Sequence, residues 1–238
     1  ALSGFDTGGQ TVQQGGMSNE AEQAGDSHHR QGGEIPGSNG VPAFALCGPL
    51  PSPIPVLIAV PHAGRAYPGS LLERMRNPGF AALRLEDRYV DLLARDVAKA
   101  TGATLLVANA PRAMIDLNRA ADDIDWEMFG RGASRDVGSY TPGRRARSGL
   151  GLIPRRLPGL GELWKRRHEE SELAARIGGT HEPYHAALAE ALAALRERWA
   201  SARWWSVSFS LCLRACASSL SARLSIAAYM STPVASAC

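Results

Sequence analysis

Apolar side chains are spread unevenly along the chain, and their spacing predicts where it folds. Ile54-Pro55-Val56-Leu57-Ile58-Ala59-Val60 is a short apolar run closed by Pro61-His62-Ala63-Gly64, which predicts a buried strand ending in a turn. Residues 85–101 predict a helix: Tyr89, Val90, Leu93, Val97 and Ala100 recur at helical spacing, and Gly102 stands at the stop. Residues 104–108 form a second apolar, partly β-branched run, and Ala113-Met114-Ile115 a third, weaker one. Residues 183–199 predict a strong helix, with Pro183 suited to its first turn and Tyr184, Leu188, Leu192, Leu195 and Trp199 marking the buried face. Strand, helix and strand in succession predict an α/β layered domain with a partly parallel sheet.

The flanks read differently. Residues 1–40 hold ten glycines and five glutamines with few large apolar side chains, so burial cannot offset their ordering entropy and a disordered tail is expected. The domain is expected over residues 41–199. Residues 200–238 are anomalous, because no acidic residue follows Glu197 while ten serines and three of the four cysteines crowd the stretch. The favoured expectation is a tail foreign to the domain, such as a frameshifted or chimeric continuation. A buried C-terminal part and an amphipathic surface segment are the alternatives.

Composition narrows the function classes. With 238 residues and 45% apolar side chains the chain can build a proper core. Lys and Arg number 26 against 23 Asp and Glu, a surplus of +3 that singles out neither nucleic acid nor an anionic membrane as partner. No apolar run reaches the roughly 18 residues of a membrane span. The first 40 residues lack the apolar core of a signal peptide, and four cysteines are too few for a disulfide framework, so a cytoplasmic location is expected.

Three clusters can carry chemistry. His62 at the carboxyl end of a strand faces the crevice where open α/β sheets bind ligands, and its imidazole suits a metal; it could equally pack in a turn. Glu86-Asp87 leads a helix, where acids are favoured by the helix dipole alone, yet a carboxylate there could complete a metal site with His62. Arg112, Asn118 and Arg119 form a donor array suited to a small carboxylate, or a surface ion-pair cluster. His181-Glu182-Pro183-Tyr184-His185 fits the spacing of a zincin protease. Pro183 and the upstream Gly178-Gly179 argue against a helix passing through His181, which is expected to precede it.

Taken in order, Pro61-His62-Ala63-Gly64, Asp87, Ile115-Asp116-Leu117-Asn118-Arg119, Gly149-Leu150-Gly151-Leu152-Ile153-Pro154 and Pro183-Tyr184-His185 resemble the N-formylglutamate amidohydrolase family over residues 54–199. The resemblance implies a three-layer α/β/α sandwich with a mixed, partly parallel sheet, related to zinc carboxypeptidases and aspartoacylases. It implies metal-assisted hydrolysis of a small acidic N-acyl amino acid such as N-formylglutamate, in some members as part of histidine degradation. By that resemblance His62 and Asp87 (or Glu86) are zinc ligands, and Asn118 and Arg119 grip the substrate carboxylate. Arg112 polarises the scissile carbonyl or holds a second carboxylate, and His185 lies near the site. The family's later Asp-x-His-Ser motif, with its third zinc-ligating histidine, has no counterpart here: no histidine follows His185. The C-terminal part is therefore expected to be missing or replaced, with weak zinc binding and little activity. A non-catalytic binder of acidic small molecules and a zincin-type protease using His181 and His185 are the alternatives.

Overall fold

The computed structural model describes residues 29–130, 143–200 and 205–208. In chain order the strands are β1 (His29–Gly32), β2 (Phe44–Cys47), β3 (Val56–Val60), β4 (Thr104–Ala108), β5 (Arg156–Leu157), β6 (Gly161–Glu162) and β7 (Trp205–Ser208). The helices are α1 (Gly69–Arg74), α2 (Pro78–Leu85), α3 (Val90–Thr101), α4 (Arg144–Arg147), α5 (Glu170–Arg176) and α6 (Glu182–Arg198).

β1, β2, β4, β3 and β7 form one mixed sheet in that spatial order. β3 runs parallel to β4 and β7, while β2 is antiparallel to both β4 and β1. The two central strands are apolar on both faces because helices cover both. Ile58 and Val60 of β3 and Leu105 and Val107 of β4 pack with Val90 and Ala94 of α3. Alternate residues point the other way: Leu57 meets Ala191 and Leu195 of α6, and Leu106 and Ala108 join Phe44, Leu46, Tyr184 and Ala187. This period-two division between α3 and α6 makes the sheet the middle of three layers.

Several expectations need correction. Residues 29–40 are ordered, so a tail reaching residue 40 is too long. β1 joins the sheet as an edge strand by backbone pairing with β2, which asks nothing of its exposed polar side chains, and Ile35 behind it is completely buried. Residues 1–28 lie outside the described residues. The anomalous zone also begins too early, since Trp205–Ser208 pairs in parallel with Val56–Ala59; the rest of that zone lies outside the described residues.

The helix expected over 85–101 is broken. α2 ends at Leu85, Tyr89 adopts a left-handed φ of 65°, and α3 starts at Val90. That break re-phases the helix, leaving Tyr89 and Leu93 exposed while Val90 and Ala94 are buried. Residues 113–115 are a turn rather than a strand, for the N–H groups of Met114 and Ile115 both bond to the Pro111 carbonyl. His181 does not precede its helix: α5 runs through one π-helical turn, Ile177–His181, into α6, with Arg176, His181 and Glu182 all right-handed helical. Gly178-Gly179 therefore breaks nothing. A Cβ on Gly179 would stand 2.7 Å from the Glu34 carbonyl, and the Glu34 N–H bonds to the Gly179 carbonyl at 2.8 Å. The glycine is there so that the chain before β2 can lie against the helix.

Candidate functional site

The carboxyl ends of β3 and β4 lie side by side and bring together two loops, residues 61–67 and 109–119. The Ala66 N–H bonds to the Asn109 carbonyl at 3.1 Å. Gly64 fits because it has no side chain: a Cβ there would fall 2.0 Å from the Ala110 carbonyl oxygen. Pro61-His62-Ala63-Gly64 is thus a turn pressed onto the neighbouring loop, and it delivers His62 into the seam.

His62 is 1% exposed and lies between two carboxylates. Its Nε2 is 2.7 Å from Asp116 Oδ1, and its Nδ1 is 3.4 Å from Asp87 Oδ2. The Asp87 N–H also bonds to the His62 carbonyl at 3.1 Å, which ties the start of the loop before α3 to the turn. Burial alone would lower the His62 pKa, but the hydrogen bonds to Asp116 and Asp87 outweigh it and raise it. With Nε2–H donated to Asp116, Nδ1 is the nitrogen that faces Asp87.

Asp116 is the hub. It is fully buried, and its Oδ1 accepts the Asn118 N–H at 2.9 Å besides the His62 ring. Its Oδ2 accepts Arg112 Nε and faces Arg112 Nη2, each at 2.9 Å, while Arg119 Nε stands 3.8 Å away. Burial would raise its pKa, yet His62 and Arg112 hold it far below the usual carboxylate range. Arg119 is positioned further by bonds from its Nε to the Leu150 carbonyl and from Nη1 to the Asn118 carbonyl. The Asn118 residue is exposed.

Two imidazoles brace the same loop, His181 from the π-helical turn and His185 from α6. His181 Nε2 donates to the Arg119 carbonyl at 2.9 Å and His185 Nε2 to the Leu117 carbonyl at 3.1 Å, with ring centroids 4.2 Å apart. Burial and the neighbouring His181 lower the His185 pKa. Although the two rings share a helix face, the nitrogens a zincin would give to zinc are given to backbone carbonyls.

The structure thus gathers His62, Asp87, Arg112, Arg119 and His185 around the Asp116 loop. It separates Glu86, whose carboxylate pairs with Arg88 at 3.2 Å, so Asp87 is the acid that reaches His62. The residue missing from the expected site is Asp116 itself. A signal for it was present: the lone acid of its motif stands four residues after Arg112 and three before Arg119.

The donor set fits a divalent metal only in part. Two ligands on tetrahedral zinc at about 2.0–2.1 Å lie roughly 3.3 Å apart, close to the His62–Asp87 separation. The carboxylate behind His62 Nε2 matches the support that metal-bound histidines receive. Among the described residues, however, no group of three or more His, Cys, Asp or Glu side chains is placed to hold a metal, and a catalytic zinc takes three protein ligands. No helix among the described residues is long and apolar enough to cross a membrane.

Comparison with known proteins matches residues 54–210 to the family described as N-formylglutamate amidohydrolase. Among solved structures, N-formylglutamate amidohydrolase from Ralstonia eutropha JMP134 is similar at 31% identity with a TM-score of 0.60; the match covers 70% of this chain and 56% of that one. A gene product of Agrobacterium tumefaciens, Atu2144, is similar at 18% identity and a TM-score of 0.48, over 70% of this chain and 55% of that one. The chain therefore spans little more than half the length of these relatives. No curated protein matches.

Proposed function

The chain belongs to the N-formylglutamate amidohydrolase family, and from that premise we propose that the Asp116 loop and the His62 turn form the substrate-gripping half of a site that hydrolyses the amide of a small acidic N-acyl amino acid, such as N-formylglutamate. The observation that carries this reading is the convergence of His62, Arg112 and Arg119 on the buried carboxylate of Asp116, with Asp87 at the other ring nitrogen of His62, at the carboxyl ends of two parallel strands. Arg119 and the exposed Asn118 are the donors for the substrate carboxylate, and a guanidinium binds it in forked geometry. Arg112, fixed by Asp116 through Nε and Nη2, is the donor this reading assigns to the carbonyl of the scissile amide. Hydrolysis breaks the C–N bond with one water: its oxygen goes to the acyl carbon and its two protons to the leaving amine nitrogen, giving formate and glutamate in the case of N-formylglutamate. In the chain without zinc, Asp87 and His62 are the pair here able to hold the water proton.

Zinc, where bound, would lower the pKa of a bound water and polarise the acyl carbonyl. Among the described residues His62 Nδ1 and Asp87 are the two donors brought together for it, so weak zinc retention is expected. Equilibrium dialysis followed by elemental analysis checks this: less than one zinc per chain at micromolar metal is expected, and stoichiometric zinc would contradict it. The reading itself is tested by incubating the chain with N-formylglutamate and zinc and measuring formate. Slow hydrolysis that disappears in H62A supports it. A second reading, a non-catalytic binder of acidic small molecules, is favoured by the missing third donor among the described residues. Saturable binding of N-formylglutamate without formate release would select it.

A further inference from the structure

A cavity of about 510 Å³ lies where α1, α5 and the loop at Pro36-Gly37 meet, and its lining includes none of His62, Asp87, Arg112, Asp116 and Arg119. Its charged lining is lopsided: Arg74, Lys165, Arg166 and Arg176 against Glu73 and Glu172. Arg176 is the unusual member. It is only 5% exposed, yet its hydrogen bonds go to the Met114 carbonyl at 3.1 Å and to His168 Nδ1 at 3.4 Å, neither of them an anion. Burying a guanidinium without a bonded counter-ion is costly, and proteins retain such groups chiefly where an anion completes them.

The surroundings keep that cation available. His168 is 1% exposed, and its Nδ1 faces Arg74 Nη2 at 3.0 Å, Arg176 Nη2 at 3.4 Å and Glu172 Oε2 at 3.2 Å; burial and the two guanidinium charges outweigh the one carboxylate and keep the ring neutral. Of the two acids in the lining, Glu172 is held by Arg74 and His168, and neither makes a hydrogen bond or ion pair with Arg176. Arg74 Nε is buried without a hydrogen-bond partner. Leu71, Met114 and Ala175 supply apolar wall, and the volume is that of a metabolite pocket rather than of a single ion.

We propose that this cavity is a binding site for a small organic oxyanion, a carboxylate or a phosphate ester, held by Arg176 and Arg74 with Lys165 and Arg166 at the mouth. It stands apart from the amide-hydrolysing site: the 111–119 loop gives its Met114 carbonyl to Arg176 on one side and its Asp116 carboxylate to His62 on the other.

Isothermal titration of the full chain with inorganic phosphate, glycerol 3-phosphate and glutarate tests the proposal. Saturable binding of at least one probe is expected. Preference for glycerol 3-phosphate over glutarate identifies a phosphate ester, and the reverse a carboxylate. R176M is expected to weaken that binding more than tenfold, as loss of a buried charge-assisted donor should. Should R176M not fold, the surface pair K165Q/R166Q is read instead; it is expected to weaken binding about fivefold and to flatten its salt dependence. R119M is expected to leave it unchanged. Binding of none of the probes, or binding lost in R119M but kept in K165Q/R166Q, would overturn the proposal.

Discussion

His62 and His168 are both 1% exposed, yet the protein treats the two imidazoles in opposite ways. His62 sits between the carboxylates of Asp87 and Asp116, which outweigh its burial and raise its pKa. His168 sits against Arg176 and Arg74; burial and those two charges together push its pKa down to about 3. Burial sets the stakes for each ring, and the sign of its neighbours decides the charge it carries. The acid-flanked ring is ready to hold a proton or a cation, whereas the arginine-flanked ring stays neutral and serves as an acceptor. One region therefore attracts positive charge at its centre and presents arginines outward, while the other leaves its positive charge inside.

The strongest way to break the contrast is to remove the hub. D116A leaves His62 without its Nε2 partner and the buried ends of Arg112 and Arg119 without a counter-ion. Urea unfolding should show a loss of about 3–5 kcal/mol, the usual cost of stripping one partner from a buried ion pair. A loss below 1 kcal/mol would mean that the cluster holds nothing together.

Acidification sharpens the other side. The folded His168 pKa lies below the unfolded value of about 6.5, so the unfolded chain takes up the proton first as pH falls. The stability tied to a neutral His168 is therefore full above about pH 6.5 and drains away between there and pH 3, by a few kcal/mol at most. Chemical denaturation from pH 7.5 to 4 should show this decline, and H168Q should flatten it. An unchanged slope in H168Q would assign the decline to other groups, such as Glu172, which titrates lower.

How much of this was legible in the sequence follows from what each element depends on. β3, β4 and α6 announce themselves because burial against neighbouring layers imposes an apolar period. β1 does not, since an edge strand is held by backbone pairing and His29, Arg30 and Gln31 remain exposed. The passage through Gly178-Gly179 misled for a related reason: the glycines answer a contact with Glu34, distant in sequence, rather than a local need to stop a helix. At the site, His62, Asp87 and the two arginines were readable as residue types suited to one chemistry. Asp116 was readable as the acid between Arg112 and Arg119, but not as the hub, because that role rests on its contact with His62, 54 residues away.

The mildest test concerns Asn118. Its backbone N–H bonds to Asp116, a bond that N118A keeps, so stability should stay within about 0.5 kcal/mol. Affinity for an N-acyl amino acid should fall about threefold, the share of one exposed neutral donor. A large loss of stability would show that the side chain props the loop rather than facing the ligand.

Arg119, beside Asp116, is the guanidinium proposed to grip the substrate carboxylate. Isothermal titration of the chain with N-formylglutamate and with its uncharged dimethyl ester, repeated in R119M, asks this directly. The expected result is saturable binding of the acid, at least tenfold weaker binding of the ester, and an acid affinity that drops to the ester's level in R119M. Equal binding of acid and ester, or an acid affinity indifferent to Arg119, would contradict the account.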